Sequence, residues 1–177
     1  LQEQLFYKDL PILSDKLNLN LKSIILKGKN NYISKLKLNK ILYKDYILLE
    51  DKEIYECITL IVWSHFTKTG DIEECNGINR ERISQLWNKV SYGDVDNESN
   101  FDRNGYDLFP QNDYYNKIVK QIDTSDIIII NHSLLCSDIS SDSSVLPKDS
   151  LIVIDEGHNL IDAIKNKLTL NFSDLGF

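Results

Sequence analysis

Two adjacent carboxylates, Asp155 and Glu156, follow the apolar run Leu151-Ile152-Val153-Ile154 and precede Gly157 and His158. Such a run, unbroken and rich in β-branched residues, predicts a buried parallel strand that delivers acids to its C-terminal edge. Open α/β sheets bind their ligands at that edge. Paired acids there suit nucleotide hydrolysis. Asp155 would hold Mg²⁺ through its water shell, and Glu156 would orient or deprotonate the attacking water. Gly157 would let the backbone turn closely, and His158 would hydrogen-bond to a neighbouring segment. Acids that merely end a strand are common, so the dipeptide needs support from the elements around it.

A second apolar run, Asp126-Ile127-Ile128-Ile129-Ile130, predicts another buried strand, and its tip carries Asn131 and His132. A third short strand is expected over 23–27, through Ile24, Ile25 and Leu26, ending at Gly28. Behind it, Lys27-Gly28-Lys29-Asn30-Asn31-Tyr32 is polar and basic where a plain connection needs neither property. Lysines suit phosphates, asparagine amides suit phosphates or base edges, and a tyrosine ring can stack on a base. An ordinary solvated loop with a buried tyrosine is the alternative reading of that block.

Helices fill the rest. Residues 1–17 are apolar at helical spacing, with Pro11 starting a second helix. A lysine-rich helix is expected over 34–44. Residues 50–66 form the most strongly patterned helix, with Ile54, Ile58, Ile61, Val62 and Trp63 on its core face. Further helices are expected over 80–92 and 113–121, separated by an acidic, aperiodic loop over 93–112. Residues 161–168 predict a helix after the acids. The organisation is thus α/β, with residues 34–121 as an all-α insertion between 1–33 and 122–177.

The 177 residues carry a net charge of −7 with 42% hydrophobic content, enough to bury a core. Charge is uneven: residues 16–44 hold eight lysines and no acid, Lys44 being the last, whereas 51–113 is dominated by Asp and Glu. Cys57, Cys75 and Cys136 are far apart and odd in number, which suits reduced thiols in the cytoplasm and no structural metal. His65 and Cys57 lie on different faces of one helix and do not make a ligand pair. No apolar stretch is long enough to span a bilayer. The first residue is Leu1 and the chain contains no methionine, which points to a segment of a longer protein.

Taken in order, these blocks resemble bacterial DinG helicases of the XPD-like branch of superfamily 2. Leu1-Gln2-Glu3-Gln4-Leu5 with Lys8-Asp9-Leu10-Pro11 is similar to that family's motif Ia region. Lys27 to Tyr32 resembles its Lys-Gly-Arg-x-Asn-Tyr block, Ile127 to Leu135 its strand with Asn-His-x-Leu-Leu, and Asp155 to His158 its DEAH-type Walker B box. The resemblance implies part of a RecA-like parallel-sheet domain carrying a helical insertion. It also implies ATP and Mg²⁺ as cofactors and single-stranded DNA as partner. Asp155, Glu156 and His158 would be catalytic, with Asp155 the Mg²⁺ residue. Gln2, Gln4, Lys27, Lys29, Asn30, Asn31, Tyr32, Asn131 and His132 would contact DNA.

Members of that family commonly place four cysteines in the insertion around a 4Fe-4S cluster. Here Ile33-Ser34 stands where the first is expected, and only Cys57 and Cys75 lie in the interval. No iron-sulfur cluster is expected. The chain therefore resembles the cluster-less type of some Gram-positive bacteria, whose full-length proteins resemble fusions with a 3′-5′ exonuclease domain. These residues contain no Gly-Lys-Ser/Thr phosphate loop and no second RecA-like domain, so nucleotide binding is expected only with both supplied. A non-catalytic interaction module, binding a protein partner through the acidic insertion, is the competing expectation.

Overall fold

The computed structural model describes residues 2–45, 49–78, 83–93, 113–141 and 144–168. The chain divides into two compact units: residues 1–27 with 122–177, and residues 28–121.

In the first unit, a helical run begins with α1 (Gln2–Gln4), widens into a π segment over Leu5–Asp9 and continues as α2 (Leu10–Lys16). The widening precedes Pro11, which has no N–H for the carbonyl four residues back and whose ring crowds it. Asn18, at φ 53°, ends α2 in the left-handed conformation that asparagine tolerates. Strand β1 (Ser23–Ile25) pairs in parallel with β2 (Ile127–Ile129), Ile24 opposite Ile128. Around the pair, the Leu26 amide donates to the Ile129 carbonyl at 2.9 Å and the Lys22 amide to Asp126 Oδ2 at 2.8 Å. A parallel pair needs a crossover connection. Here the whole second unit stands between the two strands in sequence.

Residues 151–154 depart from the buried strand expected of them. They have no assigned secondary structure and pair with nothing among the described residues, where the sheet has two strands, and they are 45–93% exposed. β-structure is made by ladder hydrogen bonds and same-face packing, not by an apolar sequence alone. Beyond them, α8 (Gly157–Leu168) packs against α7 (His132–Ile139).

The second unit is helical: α3 (Lys35–Lys40), continuing as a π segment over Ile41–Asp45, then α4 (Asp51–Phe66), α5 (Ser84–Val90) and α6 (Tyr114–Ile122). Its core joins Ile33, Leu38, Leu60, Leu86, Trp87 and Val90 with Cys57 and Cys75. Both cysteine thiols are held above their ordinary value by burial. Tyr32 and Ile33 form antiparallel bridges to Asp71 and Ser91, so the chain enters this unit at residue 28 and not at 34.

Helix α4 is rotated relative to its apolar pattern. It buries Glu53, Cys57 and Leu60, and leaves Ile54, Ile58 and Val62, expected in the core, exposed. Glu53 fixes that rotation: Lys89 Nζ donates to its Oε1 at 2.8 Å, and its Oε2 accepts from the Glu50 amide at 3.1 Å in a capping box. The expected start of the 80–92 helix and the 93–112 loop beyond Gly93 lie outside the described residues.

Candidate functional site

The acids stand at the junction between the apolar segment 151–154 and α8. The tight turn falls on Glu156, at φ 49°, and not on the glycine after it. A left-handed glutamate costs on the order of 1–2 kcal/mol, and such conformations concentrate at functional sites. Gly157 has room: a Cβ there would meet nothing nearer than Ile154 Cγ2 at 3.9 Å. The expectation that Gly157 makes the turn is therefore corrected. Asp155 Oδ1 accepts from the Glu156 amide at 2.9 Å, and the Glu156 carbonyl accepts from the Asn159 amide at 2.8 Å, which starts α8. Glu156 Oε2 lies 3.2 Å from His158 Nδ1. Both acids and His158 are exposed.

The tip of β2 meets this junction. Asn131 caps α7, its Oδ1 accepting from the Leu134 amide at 2.8 Å. The cap places His132 in the first turn, where its Nε2 donates to the Asp155 carbonyl at 3.0 Å. That bond fixes the imidazole tautomer and ties the two apolar segments together at their C-terminal ends. Asn131, His132, Asp155, Glu156 and His158, separated by up to 27 positions, thus share one edge of the first unit.

An exposed carboxylate fits Mg²⁺ held through water, an ion that keeps several of its waters and takes one or two carboxylates plus substrate phosphates. Asp155 meets that description, and no group of three metal-ligating side chains occurs among the described residues.

The residues expected to contact DNA divide. In the first unit Gln4 is exposed, and the buried Gln2 Nε2 has no hydrogen-bond partner among the described residues. Lys27, expected at the surface, is 7% exposed, with Nζ 3.8 Å from Glu3 Oε1. In the second unit Lys29–Asn31 form a single 3-10 turn, closed by the Asn31 amide and Nδ2 both donating to the Gly28 carbonyl, at 2.9 and 3.0 Å. Lys29 and Asn30 are exposed and Asn31 half-buried. Tyr32 is 1% exposed, its ring 5.6 Å from that of Tyr115. It is a core residue here and not a stacking platform, because the bridge to Asp71 turns it into the helical unit.

Trp87, read from sequence only as a helix anchor, positions that turn: its Nε1 donates to the Asn30 carbonyl at 2.7 Å. The signal was present, since a buried indole N–H needs an acceptor, but the sequence does not show which carbonyl it meets.

The DEAD_2 family model matches residues 8–175. The chain is 30% identical over 173 residues to the 3′-5′ exonuclease DinG of Bacillus subtilis, covering 95% of this chain and 17% of that protein. It is 32% identical over 184 residues to the 3′-5′ exonuclease DinG of Staphylococcus epidermidis, covering 100% and 18%. With the ATP-dependent DNA helicase YoaA of Haemophilus influenzae the identity is 28% over 172 residues, covering 92% and 25%. The chain spans a quarter or less of the length of these curated relatives. It belongs to the DEAD_2 family and is of DinG type.

Proposed function

We propose that this chain is the part of an ATP-dependent DNA helicase, or helicase-like exonuclease, that carries the water-activating acid and part of the single-strand path. The observation that carries the reading is the joined edge: His132 Nε2 bonded to the Asp155 carbonyl at 3.0 Å, with Glu156 in a left-handed turn immediately after. In this reading the Asp155 carboxylate would hold Mg²⁺, which would supply charge neutralisation at the nucleotide phosphates. Glu156 orients the attacking water and accepts its proton. His158, 3.2 Å from Glu156, positions that carboxylate and links it to movement on DNA. His132 is a positioning residue, holding the backbone of Asp155 from the neighbouring strand tip. Gln2, Gln4, Lys29, Asn30 and Asn31 contact the strand, with Asn131 and His132 near the nucleotide edge.

A second reading is favoured by α4, where Ile54, Ile58, Val62 and Phe66 form an exposed apolar stripe at four-residue spacing. A helicase-like interaction module would use that stripe to hold a protein partner, and its strand-tip acids would only begin a helix. The test is ATP turnover by the intact protein with and without single-stranded DNA. Hydrolysis that rises on adding the strand supports the enzyme; an intact protein that neither binds nor hydrolyses ATP leaves the module.

A further inference from the structure

The second unit has an open groove of about 540 Å³ between α3, the end of α4, the turn after it and the start of α6. Among the described residues its charged lining is cationic or protonatable: Lys35 from α3, His65 from α4, Lys68 from the turn and Lys117 from α6. Asn39 adds an amide and Thr67 a hydroxyl, whereas the Ser64 hydroxyl already donates to the Ile61 carbonyl at 2.7 Å. Lys68 and Lys117 are exposed, whereas Lys35 is half-buried with Nζ 4.6 Å from the centre of the Tyr114 ring. His65 Nδ1 donates to the Ile61 carbonyl at 2.8 Å, which fixes the ring and leaves Nε2 as its other polar atom.

The acid next to the groove is directed inward. Asp113 is buried and accepts from Ser34 Oγ and from the Tyr114 amide, each at 2.9 Å. Glu74 accepts from Thr69 Oγ1 at 2.6 Å. In a chain with a net charge of −7, three lysines converging from separate elements form a local exception. Positive charge with hydroxyl and amide donors recognises phosphate oxygens. An open groove, unlike an enclosed pocket, suits a chain that enters and leaves, which is how a cationic groove tracks a nucleic-acid backbone.

We propose that this groove binds the phosphodiester backbone of single-stranded DNA through Lys35, Lys68 and Lys117, as a contact additional to the Lys29–Asn31 turn. The inference rests on the single-strand reading above for its ligand and is independent of ATP hydrolysis. Lys68→Gln with Lys117→Gln alters two exposed side chains, and each phosphate contact on a single strand contributes about 0.7 to the log–log salt slope. The intact protein is titrated with fluorescent dT20 without nucleotide at several salt concentrations, with the thermal transition of each variant recorded. The double variant should flatten the slope by about 1.4, and Lys68→Arg with Lys117→Arg should restore it. Lys52→Gln with Lys148→Gln, exposed lysines outside the groove, should leave it unchanged.

A slope unaltered by Lys68→Gln with Lys117→Gln, while Lys29→Gln lowers it, overturns the groove and spares the single-strand reading. Absence of dT20 binding by the unaltered protein overturns that reading itself. Weakened binding confined to a fluorescent mononucleotide, with dT20 unaffected, overturns the assignment to a strand.

Discussion

Gly70 is where the helical unit tolerates least change, and Gly70→Ala tests how that unit is held. Its φ is +72°, and a Cβ there would lie 2.4 Å from Cγ and Cδ2 of Tyr114 and 2.7 Å from its Cβ. Tyr114 cannot easily withdraw. It is buried, its hydroxyl donates to the Ser64 carbonyl at 2.7 Å, its amide donates to Asp113 at 2.9 Å, and Lys35 covers its ring. The left-handed backbone costs an alanine roughly 1 kcal/mol, and overpacking against a fixed ring adds about 1–3 kcal/mol. The sum is about 2–4 kcal/mol, or about 1.5 to 3 powers of ten in local opening. The Ile33 amide donates to the Gly70 carbonyl at 3.0 Å, and the Tyr92 amide to the Tyr32 carbonyl at 2.7 Å. Amide hydrogen exchange at Ile33 and Tyr92 in the intact protein reads that opening. In a Tyr114→Gly background all three close atoms, Cβ included, are gone, and Gly70→Ala should cost only the backbone part, roughly 1 kcal/mol. An equal cost in both backgrounds, or none in the first, refutes the packing argument.

Further predictions concern the same unit. Asp113 is held above the usual carboxylate range, chiefly by burial, with the Ser34 hydrogen bond opposing. The stability this group contributes is complete below its unfolded value of about 4 and is lost as pH rises through the folded value. Exchange protection measured from pH 4 upward should therefore fall less steeply in Asp113→Asn than in the unaltered protein. Glu53 behaves oppositely: the Lys89 hydrogen bond holds it below its ordinary value, so its contribution is present above about 4.3 and is lost as pH falls through the folded value. Lys89→Met should remove that acid-side loss. Trp87→Phe deletes the indole N–H that meets the Asn30 carbonyl at 2.7 Å. It should cost about 1 kcal/mol from the hydrogen bond plus a cavity contribution, and should raise exchange at the Asn31 amide before that of β1.

The tip of β2 was legible because its chemistry is local: an apolar run followed by Asn131-His132 names an edge, whatever covers the faces. The same pattern before Asp155-Glu156 predicted a strand that residues 151–154 do not form among the described residues. Pairing was less legible, since it depends on a neighbour: β1 and β2 found each other across about a hundred residues, while 151–154 make no ladder with any of the described residues. The face of α4 misled because Ile54, Ile58 and Val62 match a core stripe, yet buried Glu53, paired with exposed Lys89, turns the helix away from it. Tyr32 and Lys27 have the residue types of a DNA contact, and only the tertiary bridge to Asp71 and the neighbouring Glu3 reveal that both are buried. The groove of Lys35, Lys68 and Lys117 draws on three elements, and no sequence window contains it.

The most direct test of the central claim is Glu156→Gln in the intact protein, with ATP binding and ATP turnover measured side by side. Gln keeps the size and polarity of the side chain but is a far weaker base, so it cannot take the proton from water. The account predicts turnover lower by two to four powers of ten, on the order of a general-base contribution, with ATP affinity and dT20 affinity unchanged. Turnover within a factor of about two of the unaltered protein would contradict the assignment of Glu156 and return the two acids to the start of a helix.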